Sequence, residues 1–194
     1  MIFALCACKP ESPENEGFTL GKWNSDTFTN AWAGMALTLA DGWEKGEVSS
    51  NSADVFTGDI AEFAKADWKK YSSIKAFNLT HVEYDATVEL YYLNKLCKGN
   101  DYAQTFDYMD SIKQNMEKDL TKSYTFKTLP NKYMGGQYYE TMKATYTDDT
   151  DVEQYYIMYM RVKGDIIIVF GVTCDASSVN DAEALFKNGL SYVE

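Results

Sequence analysis

The side chains of this chain that can bind or react are mostly carboxylates and phenols. His81 is the single histidine and Arg161 the single arginine among 194 residues. One imidazole excludes Ser-His-Asp relays, Cys-His relays and multi-histidine metal centres. Cys6, Cys8, Cys97 and Cys174 show neither Cys-x-x-Cys nor Cys/His spacing, so metal and redox motifs are absent and no cofactor is expected. Acids cluster at Asp148, Asp149 and Asp151, with Glu153 close behind. They offer oxygens to a cation such as calcium, but the EF-hand spacing and its glycine are missing, and a solvated hairpin turn is the simpler reading. Glu140 shares a strand face with Tyr138, Met142 and Ala144, where an apolar setting would favour the protonated acid. A solvated edge position or a lysine partner is the alternative. Glu140 and the acidic hairpin together raise a carboxylate-dependent hydrolase acting on cell-wall glycan, which needs two carboxyls about 5–10 Å apart in a cleft. The pairs Tyr91-Tyr92, Tyr138-Tyr139 and Tyr155-Tyr156 each put one ring on each face of a strand. Tyr139, Tyr155 and Glu140 are therefore candidate binding residues for a protein or sugar, with ordinary β-propensity as the competing explanation.

Composition narrows the partners. A net charge of −11 repels phosphate backbones, so nucleic acid is not expected. A lone arginine also counts against bidentate phosphate recognition. At this length, with 45% hydrophobic and 15% aromatic residues, one domain can bury a continuous core without staples.

The N-terminus changes character abruptly. Residues 1–8 read Met-Ile-Phe-Ala-Leu-Cys-Ala-Cys, and Lys-Pro-Glu-Ser-Pro-Glu-Asn-Glu follows. Leu5-Cys6-Ala7-Cys8 resembles a bacterial lipobox, with Leu three residues before the modified cysteine and a small residue directly before it. Cys8 is the expected lipidation site, and residues 1–8 are read as a signal-peptide remnant that lacks a basic leader. Residues 9–21 are expected to be a flexible tether and 22–194 the globular domain. No other stretch approaches the ~18 apolar residues of a membrane span. The membrane, reached through an N-terminal lipid at the outer face of a bacterial cell membrane, is thus one expected partner. In that compartment Cys97 and Cys174 are free to pair, although two separate thiols are the reading preferred here.

The periodicities then place the elements. Strands are expected on both sides of a turn at Asp41-Gly42. From about residue 52 the spacing of Phe56, Ile60, Phe63 and Trp68 predicts a helix. The alternation Val82, Tyr84, Ala86, Val88, Leu90 predicts a strand with one wet face. A helix from Asp101, boxed by Gln104, is expected to carry Tyr102, Phe106, Met109, Met116 and Leu120 to about residue 120. Strands follow over 124–129, 137–146, 153–162 and 165–172, with turns at Asp148-Asp149 and Lys163-Gly164. Ile166-Ile167-Ile168-Val169-Phe170 is apolar on both faces, as a central strand covered on each side would be. Val179, Ala182, Leu185 and Phe186 form the inner face of a last helix, with Gly189 as its C-cap.

This order, with Asn30, Gly34, Leu39, Gly42 and Trp43 spaced as Asn-x-x-x-Gly and Leu-x-x-Gly-Trp, resembles the PsbP-like α/β/α sandwiches over roughly residues 22–194. Bacterial surface lipoproteins of the Firmicutes type carry a similar signature, with proline where this chain has Ala40. The resemblance implies an α+β fold, a largely antiparallel sheet covered by helices. It also implies a non-enzymatic domain that binds a protein, peptide or envelope component. It carries no ligand residue over. Replacing Cys8 by Ala is expected to abolish incorporation of a lipid precursor and to move the chain from the membrane to the soluble fraction; unchanged partitioning would remove the anchor.

Overall fold

The computed structural model of the protein describes residues 11–97, 100, 104–119 and 121–194. The expected lipid site at Cys8, tether positions 9 and 10, and Asp101, Tyr102 and Leu120 of the expected helix lie outside the described residues. The elements run β1 (Lys22–Asn24), β2 (Thr27–Asn30), β3 (Met35–Thr38), β4 (Trp43–Gly46), β5 (Val55–Phe56), α1 (Ile60–Phe63), β6 (Ser73–His81) and β7 (Ala86–Asn94). Then come α2 (Thr105–Met116), β8 (Thr125–Met134), β9 (Gln137–Thr147), β10 (Glu153–Lys163), β11 (Ile166–Asp175), α3 (Val179–Gly189) and β12 (Leu190–Ser191).

The doubly apolar strand is central, as its sequence requires. The main sheet has the order β4-β6-β7-β11-β10-β9-β8, with β5 added in parallel on β6. Alternation sends Ile166, Ile168, Phe170 and Val172 into one core and Ile167 and Val169 into a second. The first core is closed by Ala182, Leu185 and Phe186 of α3 and by the small sheet β1-β2-β3-β12. The second is closed by Tyr108, Met109 and Ile112 of α2. The protein is therefore a single α+β domain in which a largely antiparallel sheet lies between covering layers.

Several local expectations are corrected. The helix expected from residue 52 is broken into β5, α1 and a 3-10 turn at Trp68–Lys70. Val55 pairs in parallel with Ser73, and a capping box restarts the chain at Asp59. The Asp59 carboxylate accepts from the Ala61 and Glu62 amides at 2.8 and 2.9 Å. The Phe56 and Phe63 spacing that looks helical is an edge-to-face ring pair at 5.4 Å. The alternation over 82–90 spans two elements: Val82 and Tyr84 are exposed in the β6–β7 hairpin, and the strand begins at Ala86. β6 has no clean alternation in the sequence because a bulge between Lys75 and Phe77 breaks its period of two. In α2 the box is formed by Gln104 and Asp107, and Phe106 points outward while Tyr108 and Met109 point in. Gly189 is the last helical residue rather than a cap; it leaves no room for a Cβ against the Thr38 carbonyl oxygen.

The larger correction concerns residues 12–21, expected to be tether. The Asp165 carboxylate accepts from the Ser12 amide at 2.7 Å and from Asn15 Nδ2 at 2.8 Å. The Asp165 amide donates back to Asn15 Oδ1 at 2.9 Å, and the Gly164 amide donates to Glu14 Oε2 at 2.7 Å. The polar spacer thus satisfies backbone groups of the β10–β11 turn that no strand pairs. Phe18 then packs edge-on against Trp32, Phe63, Trp68 and Tyr92, with centroids 4.7–5.5 Å apart. Residues 12–21 are thus part of the folded body.

Asn30, from the Asn-x-x-x-Gly signature, joins this segment to the sheet. Its Nδ2 donates to the Tyr92 hydroxyl at 2.7 Å and to the Thr19 carbonyl at 2.9 Å, and its Oδ1 accepts from the Ala33 amide at 2.9 Å. Gly34 follows at φ +65°, a backbone that side chains rarely adopt. Since Asn30 is 1% exposed, Asn30→Ala leaves several buried polar groups unpaired. Urea denaturation is expected to show about 2–3 kcal/mol lower stability for that variant; a loss below about 0.5 kcal/mol would contradict the role.

Candidate functional site

A cleft opens where the edge strand β8 passes α3. β8 pairs only with β9, and Pro130 with a register shift between Leu129 and Lys132 distorts its outer edge. The β8–β9 turn is made by Gly135 and Gly136, both at positive φ, and packs on Leu190 and Tyr192. The cleft, of about 400 Å³, is lined by Lys132, Tyr133 and Met134 on the strand side and by Asn180, Glu183 and Lys187 on the helix side. Lys132 Nζ lies 2.7 Å from Glu183 Oε1 and 5.7 Å over the Tyr159 ring. The Tyr159 hydroxyl donates to the same Glu183 oxygen at 3.4 Å. Burial, reinforced by the Glu183 charge, pushes the Tyr159 phenol far up, so it remains a protonated donor. Residues 121–147 hold four lysines against one glutamate, so this hairpin is locally positive in a chain of charge −11.

The expected site residues land elsewhere and do not converge. Tyr139 is 1% exposed and belongs to the core, so as a surface binding residue it is a misreading. Its hydroxyl accepts from Arg161 Nε at 3.3 Å, and the guanidinium, 5.6 Å from its ring, also donates to the Ala33 carbonyl. The chain's only arginine thus braces the turn after Asn30 against β10. Glu140 follows Tyr139 and so faces the opposite side, exposed at the start of α2, where it accepts from the Thr105 hydroxyl. Tyr155 is half-buried; its hydroxyl donates to Glu153 at 2.5 Å and Lys143 Nζ sits 3.8 Å from its ring centroid. Because Tyr155 pairs with Thr145, it lies about 17 Å along β9 from Glu140.

The acidic hairpin is organised by one residue. Asp148 Oδ1 accepts from the Thr150 amide, the Thr150 hydroxyl and the Val152 amide at 2.7–3.1 Å, and Oδ2 accepts from Gln154 at 2.9 Å. The Thr150 hydroxyl and then the Val152 and Thr150 amides hold its pKa down, to about 2. Asp148 is engaged as the cap of a turn in which Asp151 takes φ +62°. Among the described residues no group of three or more His, Cys, Asp or Glu is placed to hold a metal. Asp148 also stands eight positions along the strand from Glu140, about 27 Å, far outside glycosidase spacing. The proposed hydrolytic pair does not exist.

Other reactive groups have structural settings. His81 stacks on Tyr84 at 4.6 Å, and its Nδ1 accepts from the Glu83 amide at 3.2 Å. Cys174 pairs with Ala86 at the start of β7, whereas Cys97 follows its far end, so the two thiols are not bonded to each other. Burial pushes the Cys174 thiol up to about 11.

The cleft residues were missed, although their signal is present. Asn180, Glu183 and Lys187 recur at helical spacing beside the buried stripe Ala182, Leu185, Phe186. Gly135-Gly136 flanked by Tyr133 and Tyr138 is a hairpin signature. Those two rings meet across the hairpin at 4.8 Å and are 61% and 70% exposed.

No family model matches the chain, and no curated protein matches it. Among solved structures it is similar to the cyanobacterial PsbP protein CyanoP of Synechocystis sp. PCC 6803, with TM-score 0.51 and 11% identity over 90% of this chain and 99% of that one. It also matches LpqN of Mycobacterium tuberculosis, a protein involved in cell envelope biogenesis, at TM-score 0.42 and 10% identity over 82% and 83% of the two chains. A Bacteroides thetaiotaomicron VPI-5482 protein matches at TM-score 0.43 and 11% identity over 89% of this chain and 50% of that one. The fold is PsbP-like. Among the described residues no helix is long and apolar enough to cross a membrane.

The Asp148 turn makes a pH-dependent prediction. A carboxylate whose pKa falls on folding stabilises the native state above its ordinary value of 3.8, and that contribution disappears as pH falls through about 2. Relative to intrinsic rates, amide exchange at Thr150 and Val152 is expected to accelerate between about pH 4 and pH 2. In Asp148→Ala it is expected to be fast throughout; acid-independent protection in the parent chain would contradict the capping role.

Proposed function

We propose that the chain is a non-enzymatic domain held at the outer face of a bacterial cell membrane by a lipid on Cys8. In this reading it binds a protein, peptide or envelope component through an anionic group seated between β8 and α3. The carrying observation is the cleft itself: Lys132 and Lys187 at its mouth, Tyr133 beside them, and an edge strand with unpaired backbone groups alongside. Lys132 already holds the Glu183 carboxylate at 2.7 Å, so the site offers a ligand carboxylate or phosphate an exchange of partners. Apolar walls from Met134 and Phe186 supply the remaining contact area. An extended segment lying along β8 would add main-chain hydrogen bonds.

The test is photo-crosslinking in the native envelope, with a photoreactive phenylalanine analogue at Asn180 on the helix side of the cleft and, as control, at Tyr84 on the far hairpin. Position 180 is expected to give a discrete adduct that Lys132→Glu with Lys187→Glu reduces about tenfold. The same adducts from both positions, or adducts untouched by the charge reversal, would overturn the site.

A further inference from the structure

Three features meet at one end of the main sheet. First, the strand directions bring the β8–β9 turn at 135–136, the β10–β11 turn at 163–165 and the end of β7 to the same end, since Glu140 pairs with Met160 and Asn94 with Ile166. Second, this end carries exposed apolar side chains on the face that α2 covers further in. Continuing the Glu140 and Met160 ladder by two residues sets Val162 beside Tyr138 on that face. Thr105, hydrogen-bonded to Glu140, sets the neighbouring Phe106 next to them. Tyr138, Phe106 and Val162 are 70%, 58% and 41% exposed, and the Tyr133 ring packs tilted against that of Tyr138. These are four of the nine large apolar side chains exposed on the described surface, gathered at one end of the sheet. Third, Ser12 is held at this end. It is hydrogen-bonded to Asp165, three residues from Val162.

Four residue steps separate Ser12 from Cys8 and span at most about 14 Å. A lipid on Cys8 therefore holds the membrane surface within that distance of Ser12 and so close to the β10–β11 turn. Tyrosine, with an apolar ring and a polar tip, is the residue favoured at the membrane–water boundary. Carboxylates at this end are engaged: Glu14 and Asp165 accept from the Gly164 and Ser12 amides, Glu11 pairs with Lys69, and Glu140 accepts from the Thr105 hydroxyl.

We propose that the end of the sheet bearing Tyr133, Tyr138, Val162 and Phe106 rests on the bilayer surface, so that the lipid and this patch hold the domain in one orientation. The inference rests on the Cys8 anchor. Contact with the headgroup region leaves the Asp148 hairpin, at the opposite end of β9 and β10, pointing away from the membrane.

The experiment compares amide hydrogen exchange in the full chain, carrying its lipid and reconstituted in phosphatidylcholine vesicles, with the Cys8→Ala chain free in solution. Exchange at residues 135–137 and 163–165 is expected to be about tenfold slower on the vesicle, with residues 82–85 and 148–152 unchanged. Phe106→Ser with Tyr138→Ser and Val162→Ser, all at exposed positions, is expected to remove that protection while the chain stays vesicle-bound through its lipid. Tyr138→Ser alone, the mildest change, is expected to lose part of it. A vesicle-bound chain whose two ends exchange alike, or a triple variant that keeps the protection, overturns the orientation and leaves the anchor standing. A chain that acquires no lipid on Cys8 overturns the anchor and the orientation together.

Discussion

A strand that is apolar on both faces has to be covered twice, and most of this architecture answers that demand. β11 places Ile166, Ile168 and Phe170 in one core and Ile167 and Val169 in another, and none of these five is measurably exposed. Each core needs its own lid, one supplied by α2 and the other by α3 with the small sheet. Polar atoms near the middle of the sheet must then find partners inside it. The Tyr91 hydroxyl lies 3.3 Å from both the Tyr108 and Tyr156 hydroxyls, and Tyr92 is bonded to Asn30. Binding is consequently displaced to the margins, where β8 has an open edge and the ends of strands meet solvent.

The acidity of the chain has a largely architectural use. Asp59, Asp148, Asp165 and Asp175 each accept hydrogen bonds from backbone amides at a turn or a helix start, where the main chain has donors that no strand or helix pairs. Lysine runs the other way. Four of the 18 basic residues fall in the 27 positions from 121 to 147 with a single acid, and that concentration distinguishes the β8–β9 hairpin from the rest of the surface.

How much could be read from sequence follows from which periodicities tertiary contacts respect. β9, β10, β11 and α3 obey their local period, and their burial and turns agree with it. In the Tyr138-Tyr139 pair one ring does face solvent, but it is Tyr138; which of the two takes the core depends on the strand's register, which the pair alone does not reveal. β6 was hidden by its bulge, and the helix over 52–70 was an artefact of aromatic spacing that ring packing explains. Residues 12–21 look like solvent-loving spacer because their hydrogen-bonding partners lie about 150 positions away. The cleft was obscured for a related reason: Lys132 and Glu183 belong to elements that only the completed sheet brings together.

The Asp165 clamp also sets an order of events for the newborn chain. A polypeptide emerges from a ribosome or a secretion channel with its leading residues first, yet the Ser12 amide, the Glu14 carboxylate and the Asn15 side chain lack their partners in this clamp until residues 164 and 165 have emerged. Loop closure over so long a span is entropically costly and slow, so the front of the molecule is locked last. Until then Phe18 leaves Trp32, Phe63, Trp68 and Tyr92 without the ring that packs among them, and an unfinished molecule displays aromatic surface that the finished one conceals.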